Sequence, residues 1–153
     1  MIRRPPRSTL CPYNVVEPGK RPRATLTPTI ALKNGEPFLA FGVQGGDTQE
    51  QNLVQFLINM MDFGMNVQEA SEAPNMTSYQ MRASFGEHEF EPGKLTLHKE
   101  VPPWVRNELE KMGYRLDFDE RTSGPITAIY FDQKHGTFWG GASDHGDDYG
   151  IAW

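Results

Sequence analysis

The stretch with the clearest chemical potential is Gln44-Gly45-Gly46-Asp47, which joins the apolar run Pro37 to Val43 to the amphipathic run Thr48 to Met61. Adjacent glycines just before a helix let the backbone turn sharply and aim N–H groups at one point, near the positive end of the helix dipole. Such a point attracts an anion. The anion can be a bound carboxylate or phosphate, or the transient oxyanion of an acyl transfer, where preorganised backbone donors are worth several kcal/mol. Most Gly-Gly pairs only make tight turns, and the pair taken alone reads as such a turn. Asp47 is predicted to cap the following helix, with Glu50 completing a capping box.

Other chemistry-bearing residues are less organised. Asp144-His145-Gly146-Asp147-Asp148 offers carboxylates suited to a hard cation, but not at EF-hand spacing, and reads as a solvated loop. His88, His98 and His135 are scattered with no partner at i, i+4 and read as surface or strand residues; the lone Cys11 supplies neither a disulfide nor a thiolate metal site. Ser123 has no nucleophile-elbow pattern around it. Met60, Met61 and Met65 read as core filler, and Trp104 and Trp139 as core or interface aromatics. No metal or cofactor is indicated.

The elements that position these residues follow from periodicity. Ala24 to Lys33 and Pro37 to Val43 are predicted to pair as strands across the Asn34-Gly35 hairpin signal. Leu53, Phe56, Leu57, Met60 and Met61 recur at helical spacing, and that helix should end near Gly64. Asn66-Val67-Gln68-Glu69 offers a capping box for a short helix stopped by Pro74. Short strands are expected at Glu87 to Glu91 and Leu95 to His98. Pro102-Pro103-Trp104 opens a third helix, with Trp104, Val105, Leu109 and Met112 on one face before Gly113, and Tyr114 to Phe118 alternates like a strand. A second hairpin, Ile126 to Phe131 and Thr137 to Gly141, turns through Asp132 to Gly136.

A chain of 153 residues with 37% apolar and 11% aromatic content can bury one core. The net charge of −5 argues against nucleic acid, and no stretch approaches the roughly 20 apolar residues of a membrane span. Residues 1–13 differ from the remainder, being rich in Arg and Pro without a hydrophobic period. They resemble a translated sequencing adapter, the other reading being a disordered basic arm. On the first reading the natural protein continues upstream.

From Asn14 to Trp153 the chain resembles the C-terminal part of the γ-glutamyltranspeptidase small subunit. The resemblance is carried, in order, by Pro18-Gly19-Lys20-Arg21-Pro22, Leu26-Thr27-Pro28-Thr29-Ile30, Gly45-Gly46, Asp62-Phe63-Gly64-Met65-Asn66-Val67-Gln68-Glu69-Ala70, Ala73-Pro74 and Gly140-Gly141-Ala142-Ser143-Asp144. It implies an α+β fold, part of an N-terminal-nucleophile hydrolase αββα sandwich. It further implies self-cleavage of a precursor to expose a threonine, which attacks a γ-glutamyl amide and passes the acyl group to water or an amino acid. The partners implied are a γ-glutamyl substrate and the upstream, large-subunit part of the same precursor. Members of the family are often exported.

Residue by residue, Gly45 and Gly46 match the family's oxyanion-hole glycines. The run that holds the substrate α-carboxylate, Ser-Ser-Met-Ser-Pro in the family, is here Ala24-Thr25-Leu26-Thr27-Pro28. Thr25 keeps a hydroxyl to bind substrate, whereas the Ala24 side chain donates nothing. Asp47 replaces the serine of the family's Pro-Gly-Gly-Ser turn. The family's threonine nucleophile and its amine-gripping acid lie upstream of the Ala24-Thr25 position, so this chain alone should be inactive. A non-catalytic remnant that retains an anion-binding turn is the alternative.

Overall fold

The computed structural model describes residues 16–21 and 25–146. The expectations for residues 1–13, and those for Ala24, Asp147 and Asp148, fall outside these. Two sheets are present among the described residues: an antiparallel one of four strands and a smaller one of three.

Both expected hairpins belong to the larger sheet. Strands β1 (Thr29–Lys33) and β2 (Glu36–Val43) turn through Asn34-Gly35, both at positive φ, and β6 (Ile126–Asp132) pairs with β2 and with β7 (Thr137–Ala142). The first strand begins at Thr29 rather than Ala24, next to Pro28, which has no N–H to give a ladder. One face of the sheet presents Leu39, Phe41, Val43, Ile126 and Ala128, all buried. Against it pack Leu53 and Phe56 of helix α1 (Gln49–Met61) and Val67 and Ala70 of helix α2 (Val67–Glu72). Met60 and Met65 fill in beside this core, while Met61 is half exposed.

The opposite face is uncovered by any described element. Ile30, Ala40, Ile129 and Gly140 form one cross-strand row on it, and Ile30 is 70% and Ile129 46% exposed. Phe138, 73% exposed, continues the apolar surface from its edge-to-face contact with Phe131. Contiguous exposed apolar surface of this kind marks a place of contact.

The smaller sheet contains a strand the periodicity did not indicate. Strand β3 (Met76–Ser78) pairs antiparallel with β4 (Lys94–His98), which pairs in parallel with β5 (Arg115–Asp119) across helix α3 (Pro103–Lys111). Its core is Leu95, Leu97 and Val101, with Leu109 and Leu116 alongside. Strand β3 is too short for a readable period. Its outer edge is tied to α1 by two glutamines one turn apart: Gln51 and Gln55 each exchange a pair of amide hydrogen bonds with the backbone, at Ser78 and Met76 respectively, at 2.7 to 3.1 Å. Gln68 of α2 does the same to Ala142 of β7.

Several expectations require correction. The segment Glu87 to Glu91 is no strand; it is the return limb of a loop between β3 and β4, where Ala83 N donates to Glu89 O and Glu91 N donates to Tyr79 O. Asp47 does not cap α1, because Gly46–Thr48 forms a 3-10 turn that displaces the helix start to Gln49. The shared face of α3 is only partly covered: Leu109 reaches the core, while Trp104 and Met112 are 69% and 73% exposed. Neither Trp104 nor Trp139 lies in a core. The capping box Asn66-Glu69 does form, with Asn66 Oδ1 accepting from Gln68 N and Glu69 N and Glu69 Oε2 accepting from Asn66 N.

Candidate functional site

Antiparallel pairing gathers four segments at one end of the larger sheet. Thr29 pairs with Phe41, so the chain before β1, with Thr25, approaches the end where β2 runs out into Gly45-Gly46. Val43 pairs with Ile126, which brings Ser123-Gly124-Pro125 to the same end, and Ser143 N donates to Ile126 O as β7 leaves the sheet there. Ser143 Oγ in turn accepts from Ile126 N at 2.9 Å. The packing is tight: a β-carbon on Gly124 would lie 1.9 Å from the carbonyl oxygen of Gln44. Only glycine fits so close to the backbone that enters the turn.

At the turn itself Gly45 has φ +143° and Gly46 φ +56°, conformations that side-chain-bearing residues rarely adopt. A β-carbon on Gly45 would also meet Thr48 Oγ1 at 2.6 Å, where that hydroxyl donates to Gly45 O. Gly45 O further accepts from Thr48 N, and Gln49 N closes on Gly46 O. The carbonyls are thus committed to the 3-10 turn. The N–H groups of Gly45 and Gly46 engage no acceptor among the described residues. Gln49 steadies the entering strand from within α1, its Nε2 donating to Val43 O at 2.9 Å. The arrangement leaves two adjacent backbone donors, without an acceptor among the described residues, at the end of the sheet.

Thr25 is exposed and shares this end of the sheet through the register alone. Asp47 is placed beside the turn and turned to another task, its Oδ2 accepting from Ser84 N at 2.5 Å in the loop between β3 and β4. Ser123 is buried and donates to its neighbour's carbonyl, Gly124 O, at 2.8 Å.

Behind the sheet end lies a cleft of about 540 Å³ lined by Glu72, His98, Lys99, Glu120, Arg121 and His145, among others. The His145 side chain departs from the solvated reading: it is 7% exposed, its ring centroid is 6.2 Å from that of His98, and Nε2 has no hydrogen-bond partner among the described residues. Its hydrophilic neighbours in sequence give no signal of this burial. Among the described residues no group of three or more His, Cys, Asp or Glu side chains is placed to hold a metal ion.

Burial pushes the His145 imidazole below its ordinary pKa, with His98 and Arg121 adding to the effect and Asp144 and Glu72 opposing it. In the unfolded chain His145 therefore binds a proton more readily than in the native state. Its contribution to stability is complete above the unfolded value and declines as pH falls through it. Urea midpoints should drop as pH falls below about 6.5, and His145→Gln should flatten part of that slope. An unchanged slope would show that the imidazole is not held neutral by folding.

A sequence profile for the family described as Gamma-glutamyltranspeptidase matches residues 6–152. The chain belongs to the γ-glutamyltranspeptidase family. It is 30% identical over 138 residues to a glutathione hydrolase proenzyme of Bacillus subtilis subsp. natto, a match covering 90% of this chain and 22% of that protein. Among solved structures, a mutant γ-glutamyltranspeptidase of Helicobacter pylori superposes with a TM-score of 0.69 at 29% identity, covering 89% of this chain and 69% of that one. A cephalosporin acylase of Bacillus halodurans gives a TM-score of 0.74 at 29% identity, covering 92% of this chain and 24% of the other. The mixed α and β architecture is therefore that of γ-glutamyltranspeptidase structures. The chain spans about a fifth of the length of the glutathione hydrolase proenzyme it matches. No described helix is long and apolar enough to cross a membrane.

Proposed function

We propose that residues 14–153 form the C-terminal part of the small subunit of a γ-glutamyl transferase or hydrolase and supply its oxyanion hole, while the nucleophile comes from an upstream part of the same precursor. The observation that carries this reading is the Gly45-Gly46 turn, with both residues at positive φ and both N–H groups uncommitted among the described residues. The exposed apolar row Ile30, Ala40, Ile129 fits a second sheet stacked on this one, as in an αββα N-terminal-nucleophile hydrolase.

In the proposed reaction the hydroxyl of an N-terminal threonine adds to the γ-carbonyl of the substrate amide, its proton passing to the residue's own α-amine. The carbonyl oxygen becomes an oxyanion held by the N–H groups of Gly45 and Gly46. Collapse breaks the C–N bond, the amine departs with the transferred proton, and the acyl-enzyme is resolved by water or an amino acid. Thr25, at the same end of the sheet, helps hold the substrate carboxylate. The Asp47 carboxylate is held beside the turn by a backbone hydrogen bond that it accepts from Ser84.

The test is a precursor that joins this chain to its upstream part, assayed for self-cleavage by mass and for γ-glutamyl amide hydrolysis, beside the chain alone, which should show no turnover. Thr25→Ala should raise KM ~10-fold or more with kcat largely retained, since a hydrogen bond to a charged group is worth about 1.5–3 kcal/mol and this one is made equally in ground and transition states. Hydrolysis by the chain alone, or a joined precursor that neither self-cleaves nor hydrolyses, removes this reading; in the second case the non-catalytic alternative gains.

A further inference from the structure

We infer that Phe85 is a specificity-determining residue, forming an aromatic wall over Gly46 that contacts the amine leaving or entering at the acyl carbon. This inference rests on the oxyanion role proposed for Gly45 and Gly46. The loop between β3 and β4 carries Phe85 back across the turn, and the ring packs on Gly46 so closely that a β-carbon there would lie 3.3 Å from Cε2. The contact joins residues far apart in sequence and belongs to neither sheet.

The loop is built to hold that position. Asp47 Oδ2 accepts from Ser84 N, so the residue after Gly46 grips the residue before Phe85. On the far limb, Ala83 N donates to Glu89 O, His88 Nδ1 lies 2.8 Å from Ala83 O, and the Arg82 guanidinium sits 4.5 Å over the Phe90 ring. Gln80 Oε1 accepts from Gly93 N where the loop returns to β4. A carboxylate in place of the family's serine at Asp47 thereby has a physical role: it positions the wall beside the donors.

The side of the substrate that Phe85 meets follows from its exposure. The ring is 49% exposed, so it stands at the mouth of the turn and not beneath it. The acyl group stays covalently held through the reaction, whereas the amine must leave toward solvent and its replacement must arrive from there. An aromatic ring at the mouth favours amines with an apolar or planar surface, by stacking worth roughly tenfold in kcat/KM.

Two measurements test this. In the 153-residue chain, the Gly46 α-protons should carry a ring-current shift from Phe85, an effect removed by Phe85→Leu and reduced by Asp47→Ala. In the joined precursor, Phe85→Ala should lower kcat/KM for γ-glutamyl anilide about tenfold more than for γ-glutamylglycine, whose amine has no ring to stack. Equal changes for the two amides, or Gly46 signals indifferent to Phe85→Leu, overturn the assignment and leave the proposed function standing. A wild-type precursor that cleaves neither amide overturns the proposed function and this assignment with it.

Discussion

Gly46→Pro in the joined precursor should lower kcat by at least the ~10²-fold associated with loss of one oxyanion donor. Two effects act together. Proline removes the Gly46 N–H, and its ring imposes a φ of about −65° on a position that stands at φ +56°. The turn must therefore rebuild, and the neighbouring Gly45 N–H moves with it, so the loss should exceed that of a deleted donor alone. Gly46→Ala separates these contributions: it keeps the N–H but strains the backbone and presses a methyl toward the Phe85 ring. It should lose less of kcat than the proline variant. Both variants are compared with wild type by circular dichroism and urea midpoint, which establish that the core is intact. A normally folded Gly46→Pro enzyme with full kcat would remove Gly46 from the oxyanion site.

The largest effect on stability is expected from Phe56→Ala. Phe56 is 1% exposed, lies on the sheet-facing side of α1, and sets its ring 5.3 Å from that of Phe41 on β2. Truncation leaves a cavity in the buried cluster that Phe56 shares with Leu39, Leu53 and Val67. Losses of this kind cost about 3–5 kcal/mol. A urea titration of the chain should show a correspondingly lower midpoint with little change in slope. Phe138→Ala, at a residue 73% exposed on the opposite face, should cost far less in this chain. Comparable losses at the two positions would mean that the sheet buries both faces, contrary to the arrangement described.

Much of the local structure was legible because it depends on neighbours in sequence. The hairpin through Asn34-Gly35 follows from residues that tolerate positive φ, and the box of Asn66 and Glu69 from side chains that reach their own helix's orphan N–H groups. Helix α1 was readable from its apolar period, since one face must be buried whatever covers it. The Gly45-Gly46 turn was likewise marked by residue type at a strand-to-helix junction. Family membership was readable too, because it rests on ordered motifs that survive in the sequence itself.

What the tertiary structure decided is what depends on partners distant in the chain. Asp47 carries a capping residue's signature, yet its carboxylate is taken by Ser84, 37 positions away, once the 3-10 turn moves the helix start. Strand β3 pairs with β4 on one side and takes hydrogen bonds from Gln51 and Gln55 on the other, and polar side chains on a helix leave no hydrophobic period to announce such a role. His145 looks solvated among acidic and glycine residues, but folding buries it beside His98, and nothing in the local pattern encodes that meeting. Phe85 sits on Gly46 for the same reason. Residue type and spacing set what each segment can form; which side chain ends up beside a given backbone group is settled by long-range packing, where a few hydrogen bonds and contacts outweigh weak local preferences.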